Sequence, residues 1–337
     1  MGGIKIYNDI RVTKQEVRNF LLINFGLITF LAIFVFISFS KPNSDDFLYN
    51  FAITFMYIPA FSVMVVLKKS SYYEFGDVVN KFFNFFIIAT ILRAIFSILE
   101  PFFIKNVIIS SLIDPIVSLY ILYSVFVNSS DFEIFNLSLN KNFKKVLFCI
   151  GIYLVIFTVG CSPDLIHMNF SVANFIDALL QISVGIVMNI ILGISLFFGE
   201  EFGWRYFLQP RLQKIYGKRL GVIILGPIWG IWHIPLCMTL YSPQTPVYCI
   251  ISHVLFCTTL GVFLGYAYMK TENLWTPMLI HLIGNLIALS NGGGLDTIIT
   301  LNDLLIAILF ESVLYLPFLF AKVYRPNKDD IGVSIDN

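Results

Sequence analysis

Charge is scarce in this 337-residue chain: 13% of its residues are Asp, Glu, Lys or Arg, while 58% are hydrophobic. Soluble domains carry about 25% charged residues, so the composition excludes an ordinary soluble domain and predicts a polytopic membrane protein. The net charge of +1 provides no basic surface that would attract nucleic acid. No small-residue cleavage site follows the first apolar run, which we therefore interpret as a retained span and not as a signal peptide.

Two kinds of metal-binding motif are also missing. The cysteines are scattered without a Cys-x-x-Cys pair, and the chain contains no His-Glu-x-x-His motif. The spacing therefore predicts neither a structural zinc site nor a standard zinc-protease helix. We interpret the cysteines as small apolar helix residues. They are Cys149, Cys161, Cys237, Cys249 and Cys257.

Apolar runs long enough to cross a bilayer recur along the whole chain. They predict an all-α, polytopic transmembrane helix bundle of about 8–10 spans. The third and fourth runs contain charged residues, namely Arg93, Glu100 and Asp114. The runs occupy residues 20–40, 47–67, 82–104, 107–127, 146–160, 178–199, 220–269 (two spans), 273–295 and 304–321.

Lysine and arginine placement predicts the orientation of the bundle. Basic clusters precede the first span and follow the second, fourth, sixth and last spans, and the cluster after the sixth includes Arg205 and Arg211. All of these clusters fall on one side if there are ten spans and both termini are cytoplasmic, as positively charged loops are expected to be. Lys41 and Lys105 fall on the other side, so the rule holds as a bias. We expect an integral membrane protein, and the Phe-, Ile- and Asn-rich composition favours a bacterial cell membrane.

Two adjacent carboxylates, Glu200 and Glu201, close the sixth predicted span. On a continuous helix their side chains point about 100° apart, so they cannot share one role. Glu201 and Arg205 are four residues apart and are expected to pair, with the planar guanidinium holding both carboxylate oxygens. Glu200 is then left to face the other helices as a base, with Glu201 and Arg205 supporting it. A solvated helix end is the alternative interpretation.

Two further polar sites lie in apolar helices. Trp229 and His233 are four residues apart in the seventh span, and His281 and Asn285 are four apart in the ninth, so each pair shares a helix face. Each histidine alone fits a hydrogen-bonded packing residue. Three such segments in one half of the chain instead predict a functional site, because polar groups inside a bilayer are costly and usually functional. His253 has no companion in the sequence, and we interpret it as structural.

These three segments, in this order, resemble the motifs of the CAAX-protease and bacteriocin-processing (CPBP, or Abi) family of intramembrane proteases. The family patterns are Glu-Glu-x-x-x-Arg, an aromatic residue followed four positions later by His, and His-x-x-x-Asn. Phe is commoner than Trp at the position of Trp229. The resemblance covers about residues 175–320. It divides the chain into an N-terminal transmembrane region of unknown role (1–174), a protease core (175–325) and a cytoplasmic tail (326–337).

The resemblance implies an intramembrane endopeptidase that hydrolyses a peptide bond within or beside the membrane. By carry-over from the family motifs, Glu200 and His233 activate the attacking water, while His281 and Asn285 hold the developing oxyanion. The expected partners are the lipid bilayer and a membrane-associated peptide or protein substrate. Prenylated CAAX proteins, bacteriocin precursors and peptide pheromones are all open as substrates, and the bacterial composition favours the last two.

A metal is not needed for this chemistry, and no obligatory cofactor is expected. Zn²⁺ is the alternative, and its ligands would then be Glu200, His233 and His281, which match the His₂Glu set of catalytic zinc sites. Two other classes of function also fit a buried polar site. A catalytically silent scaffold or regulator is disfavoured by the intact Glu, His, His and Asn set, and a small-molecule transporter by the lack of paired, interrupted spans.

Overall fold

A computed structural model describes residues 9–41, 44–160, 172–290 and 295–325, and this part of the chain contains helices but no β-strand. The α-helices are α1 (Ile10–Phe39), α2 (Asp45–Lys69), α3 (Asp77–Leu99), α4 (Ile108–Val127), α5 (Ser129–Phe132), α6 (Phe143–Gly160), α7 (Val172–Leu192), α8 (Ile194–Glu201), α9 (Gln209–Tyr216), α10 (Lys218–Trp232), α11 (Ile234–Leu236), α12 (Pro246–Thr271), α13 (Trp275–Ser290) and α14 (Leu301–Tyr315). Three π-helical segments, Glu100–Ile104, Phe202–Leu208 and Cys237–Tyr241, continue α3, α8 and α11. The predicted tail, 326–337, lies outside the described residues.

The predicted all-α polytopic bundle is confirmed. Six helices of the described chain are long and apolar enough to cross a membrane, and two bent pairs raise the number to eight if each pair is one span. The structure therefore agrees with the lower end of the predicted range. The ninth predicted run falls short of a span, because the apolar helix there covers only Trp275–Ala288.

Two spans that hydropathy predicts as straight helices are bent. α7 and the helical stretch Ile194–Tyr216 meet at an angle of 71°, and the backbone of Gly193 between them leaves the helical region (φ −130°, ψ 2°). α10 and the stretch Ile234–Tyr241 meet at 42°, with His233 at the break. Pro235 follows that break and has no N–H with which to continue the helical hydrogen bonds. Both breaks lie beside predicted site residues.

Close backbone contact holds the segment that carries the two carboxylates against α2. A Cβ atom added to Gly199 would lie 2.2 Å from the carbonyl oxygen of Met56, and one added to Gly203 would lie 2.3 Å from Cβ of Pro59. Small residues permit this approach between helices in a membrane. The contact shields the intervening residues from lipid and water, and it explains why a charged segment is buried here.

The N-terminal helix also packs against the second half of the chain. Glu16 in α1 pairs with Arg211 in α9 at 2.8 Å, and Asn24 accepts a hydrogen bond from the indole of Trp232 at 2.9 Å. Burial raises the pKa of the Tyr73 phenol to about 12, so its hydroxyl stays neutral and accepts a bond from Arg211 at 3.3 Å. Arg211, which the sequence places in a basic cluster, is thus a buried partner of Glu16 and is 3% exposed.

A second buried polar network explains the charges in the third and fourth spans. Arg93 donates two hydrogen bonds to Asp114, from Nε at 2.9 Å and from Nη2 at 3.2 Å. The Tyr57 hydroxyl donates to Asp114 at 2.8 Å and lies 2.9 Å from Oγ of Ser195. Ser118 also contacts Ser195, at 3.0 Å. The network therefore connects α2, α3 and α4 to the first turn of α8.

Candidate active site

The Glu-Glu-x-x-x-Arg segment is buried. Glu200 and Glu201 end α8, and Arg205 lies in the π-helical segment that follows. Their exposed fractions are 2% for Glu200 and 0% for the other two. The alternative interpretation of a solvated helix end is therefore excluded. Single π-helical turns within α-helices are rare in proteins, and those that do occur often lie at functional sites.

One oxygen of Glu200 is held by two indole groups. Its Oε2 accepts hydrogen bonds from Nε1 of Trp229 at 2.8 Å and from Nε1 of Trp204 at 3.2 Å. Its Oε1 receives no hydrogen bond from the described residues. Hydrogen bonds to an ionised carboxylate are stronger than those between neutral groups. The carboxylate is thus fixed through one oxygen, and the other oxygen is left for a water or a substrate.

Glu201 contacts an imidazole and a guanidinium. Its Oε1 accepts a hydrogen bond from Nδ1 of His281 at 2.9 Å, and its Oε2 lies 3.1 Å from Nε of Arg205. The expected ion pair between Glu201 and Arg205 is present, but the prediction that the guanidinium binds both carboxylate oxygens is wrong. No guanidinium nitrogen of Arg205 has a hydrogen-bond partner in the described chain, because a hydrogen bond needs direction as well as the short distance that suffices for charge attraction. The guanidinium instead lies over the Trp229 ring, 4.7 Å from its centroid.

His233 presents one free ring nitrogen. The residue lies at the break after α10 with φ −86° and ψ 0°, in the sparsely allowed region where many active-site residues occur. Its Nδ1 is 2.9 Å from the carbonyl oxygen of Trp229. Because a carbonyl oxygen only accepts, Nδ1 must hold the hydrogen, and Nε2 of the neutral ring keeps a lone pair. That nitrogen can accept a proton or bind a metal ion.

His281 and Asn285 lie one turn apart on α13. The His281 ring meets the Trp229 ring edge-to-face, with centroids 5.6 Å apart. Nδ1 of His281 donates to Glu201, whereas its Nε2 has no hydrogen-bond partner among the described residues. Asn285 is half-buried, and its side chain has no hydrogen-bond partner among the described residues. Both side chains therefore retain a polar group that a substrate can engage.

Trp229 connects the separate parts of the site, which sequence reasoning did not foresee. Its indole N–H binds Glu200, its carbonyl oxygen binds His233, and its ring contacts His281 and Arg205. The family resemblance predicts only an aromatic ring at this position, where Phe is commoner. The available signal is that Trp, unlike Phe, carries an N–H that can donate to a carboxylate such as Glu200.

The residues that the alternative of a catalytic Zn²⁺ would require do not form a compact group of ligands. Within the described chain, the donor groups that do converge are those of His233, His253 and Cys257, whose ligand atoms all lie within 4.8 Å of one another. Glu200 and His281 do not form such a group with His233. His253, which has no companion nearby in the sequence, lies next to His233 in the fold, with ring centroids 4.3 Å apart. Its structural role stays a prediction.

The geometry of the site agrees with a comparison to known protein families. Residues 180–287 match the model of a family described as type II CAAX prenyl endopeptidase, Rce1-like. This range contains all three motifs, so the resemblance to CPBP intramembrane proteases is confirmed for this part of the chain. No curated protein matches the chain.

Proposed function

Because residues 180–287 form a domain of the Rce1-like CAAX endopeptidase family, we propose that the protein is an intramembrane endopeptidase. Its substrate is a membrane-associated peptide or protein, in which it hydrolyses a peptide bond. The main structural support is Glu200, a buried carboxylate with one oxygen held by two indole groups and the other oxygen without a partner in the described chain. This arrangement is suited to a positioned base.

Glu200 and His233 activate water in this proposal. Oε1 of Glu200 removes a proton from the water, while Nε2 of His233 accepts a hydrogen bond from the same water and orients it. The resulting hydroxide bonds to the carbonyl carbon of the peptide. The carbon–nitrogen bond then breaks, and the proton held by Glu200 passes to the leaving amine. Trp229 positions both groups, since its indole N–H holds Glu200 and its carbonyl oxygen holds His233.

His281 and Asn285 stabilise the oxyanion that forms on the peptide carbonyl. The Asn285 amide donates directly. His281 already uses Nδ1 to donate to Glu201, so it donates from Nε2 as an imidazolium ion, whose charge Glu201 balances. Donors that are fixed before the reaction stabilise a developing negative charge strongly in a water-poor site.

This mechanism assigns no step to a metal ion, and we propose that none is obligatory. Glu200 supplies the base and His281 supplies positive charge near the oxyanion. We expect full-length protein reconstituted in liposomes to keep its peptidase activity after dialysis against a strong chelator. Loss of activity in chelator that added Zn²⁺ restores would contradict this part of the proposal.

The two alternative classes of function make different predictions. The breaks at Gly193 and His233 are a feature that transporters also use to build polar sites, although the sequence had not indicated them. A scaffold or transporter needs binding groups but no activated water. The family of the domain favours the peptidase over a scaffold or a transporter. Only a peptidase cleaves a peptide and loses that cleavage when the base is removed.

Glu200→Gln tests the proposed function. The amide keeps the size of the side chain and an oxygen for the two indoles, but it is not a base. General-base catalysis contributes about 10²–10⁴-fold, so we expect cleavage to fall by at least ~10²-fold. The measurement is cleavage of quenched fluorescent peptides, ending in a prenylated or an unmodified C-terminal cysteine motif, by full-length protein in liposomes.

Glu133→Gln is the matched control, because Glu133 is exposed and lies outside the site. Both variants should elute as folded protein and melt at the same temperature as the unmodified protein. Cleavage by Glu200→Gln at the unmodified rate would refute the role of Glu200 as the base.

A further inference from the structure

His253 and Cys257 lie beside the proposed active site but have no role in the mechanism above. They are four residues apart on α12, so their side chains share one face of the helix. His233 reaches this face from the break after α10. The three ligand atoms, two imidazole nitrogens and one sulfur, lie within 4.8 Å of one another.

The surroundings of the three side chains leave their donor atoms available. Nδ1 of His233 is occupied by the Trp229 carbonyl, which fixes the ring so that Nε2 is the ligand nitrogen. The structure records no hydrogen bond for the His253 side chain among the described residues, although the ring is half-buried. An imidazole without a hydrogen bond is costly in an apolar setting. The ring of Tyr241 stacks on His253 with centroids 5.4 Å apart and covers the cluster.

The donor set determines the class of ligand. Imidazole and thiolate groups together favour Zn²⁺ and other soft transition metals over Mg²⁺ or Ca²⁺, which prefer oxygen. Zinc binds nitrogen at about 2.0 Å and sulfur at about 2.3 Å in tetrahedral geometry, which places two nitrogens and one sulfur roughly 3.3–3.5 Å apart. Because the three donors lie within 4.8 Å of one another, no pair needs to close by more than roughly 1.5 Å, and the half-buried His253 ring is the least enclosed of the three side chains.

We propose that His233, His253 and Cys257 form a Zn²⁺ site, and that occupation of this site inhibits the peptidase. On binding, the Cys257 thiol releases its proton to solvent and binds as the thiolate. The metal takes the lone pair of His233 Nε2, the same lone pair that orients the attacking water. One nitrogen cannot serve both partners, so the metal-bound enzyme lacks half of its water-binding pair. The inhibition rests on the proposed function, whereas the metal site does not.

The metal site is tested first, without any measurement of activity. Full-length protein in detergent is stripped of metal and titrated with Co²⁺, which occupies zinc sites and gives a near-ultraviolet absorption band when a thiolate binds it. We expect one Co²⁺ per chain with that band, displaced by Zn²⁺. Cys257→Ser should abolish the band. Cys149→Ser, which removes a buried cysteine of α6, should keep it.

The results of this titration decide whether the site exists. His253→Ala serves as a second variant should Cys257→Ser not fold, and it should weaken Co²⁺ binding by more than about tenfold, because even the loss of a partner of a metal ligand costs about 10–100-fold. A thiolate band that persists in Cys257→Ser, or unmodified protein that binds no Co²⁺, would overturn the proposal.

Inhibition is tested separately with buffered Zn²⁺. For each protein, peptide cleavage is measured with and without Zn²⁺, and the Zn²⁺ concentration that halves cleavage is compared. We expect that concentration to rise by more than about tenfold in Cys257→Ser and to stay unchanged in Cys149→Ser. Zn²⁺ that restores the activity of stripped protein would overturn the inhibitory role. A protein that binds Co²⁺ at the site but cleaves no peptide would refute the proposed function and leave the metal site standing.

Discussion

At the scale of single residues, local spacing predicted some contacts of the site and not others. The Glu201–Arg205 pair follows from a separation of four residues on a helix, which the sequence shows directly. The contact between Glu201 and His281 joins residues 80 positions apart and depends on how α8 packs against α13. The orientation of the Arg205 guanidinium could not be predicted either, because spacing does not determine whether its N–H groups point at the Glu201 carboxylate.

Trp229→Phe tests whether the indole positions the proposed base. Phenylalanine keeps an aromatic ring but loses the N–H that binds Glu200 at 2.8 Å. A hydrogen bond to a charged group contributes about 1.5–3 kcal/mol, and about 1.4 kcal/mol changes a rate tenfold. Because Trp204 still binds the same oxygen, we expect kcat to fall by about tenfold while KM changes little.

Trp275→Phe is the control for this substitution. Trp275 is also buried and donates its indole N–H, to the carbonyl oxygen of Leu137 at 2.8 Å, outside the candidate site. Both variants should lose similar thermal stability, and only Trp229→Phe should lower kcat. Equal kcat values for the two variants would show that the Trp229 indole contributes to folding and not to the position of the base.

At the scale of helices, hydropathy predicted where the apolar segments lie but not where the helices bend. It measures how apolar a segment is, and a helix that bends inside the protein stays as apolar as a straight one. The breaks at Gly193 and His233 depend on single residues that permit non-helical backbone. The helix that buries Glu200 and Glu201 was equally hidden, because the contact is with α2, about 140 residues earlier in the chain.

Gly199→Ala tests the contact between α8 and α2. The added methyl group would lie 2.2 Å from the backbone oxygen of Met56, so one of the two helices must move. Overpacking of this kind costs about 1–3 kcal/mol. A shift of ~1 Å at the adjacent Glu200 can lower the rate about 100-fold. We therefore expect a lower melting temperature together with a large loss of cleavage.

Gly151→Ala provides the comparison within a helix. A methyl group at Gly151 in α6 meets no atom within 4 Å, and alanine favours a helix over glycine by about 1 kcal/mol. This variant should be as active as the unmodified protein and at least as stable. Normal cleavage by Gly199→Ala would show that the position of Glu200 does not depend on the contact with α2.

At the scale of the whole molecule, the described helices before residue 160 pack against the family-matched region, residues 180–287, and share one hydrophobic core with it. Aromatic contacts such as Phe20 with Trp204 and Phe55 with Trp232 join the two halves of the chain. The sequence of residues 1–174 resembles no family that we could name, so its packing against the site was not predictable. The division at 174/175 stays a prediction that rests on the resemblance.

The orientation of the protein in the membrane is the prediction that belongs to this scale. An even number of spans, six or eight, would leave the two ends of the chain on the same side, and the basic clusters before the first span and after the last predict that this side is the cytoplasm. Epitope tags at both ends should therefore be inaccessible to antibody in intact cells and accessible after permeabilisation. A tag inserted after the exposed Asn106, in the loop between α3 and α4, should be accessible in intact cells.

Tags that lie on opposite sides would contradict this orientation. An odd number of crossings would then be present, and one of the two bent pairs would return to the side from which it enters. The tag after Asn106 distinguishes this outcome from a fully inverted protein, in which both ends would be accessible and the loop would not.

The ion pair between Glu16 and Arg211 has a consequence for the newly made chain. The two residues are 195 positions apart, and ribosomes add roughly 5–20 residues per second, so Glu16 waits roughly 10–40 s for its partner. During that time α1 has no α9 to pack against, and His281 has yet to be synthesised. A partly synthesised chain therefore holds its first helices in the bilayer without a complete active site. The proposed peptidase can act on neighbouring membrane proteins only after its chain has been synthesised beyond Asn285.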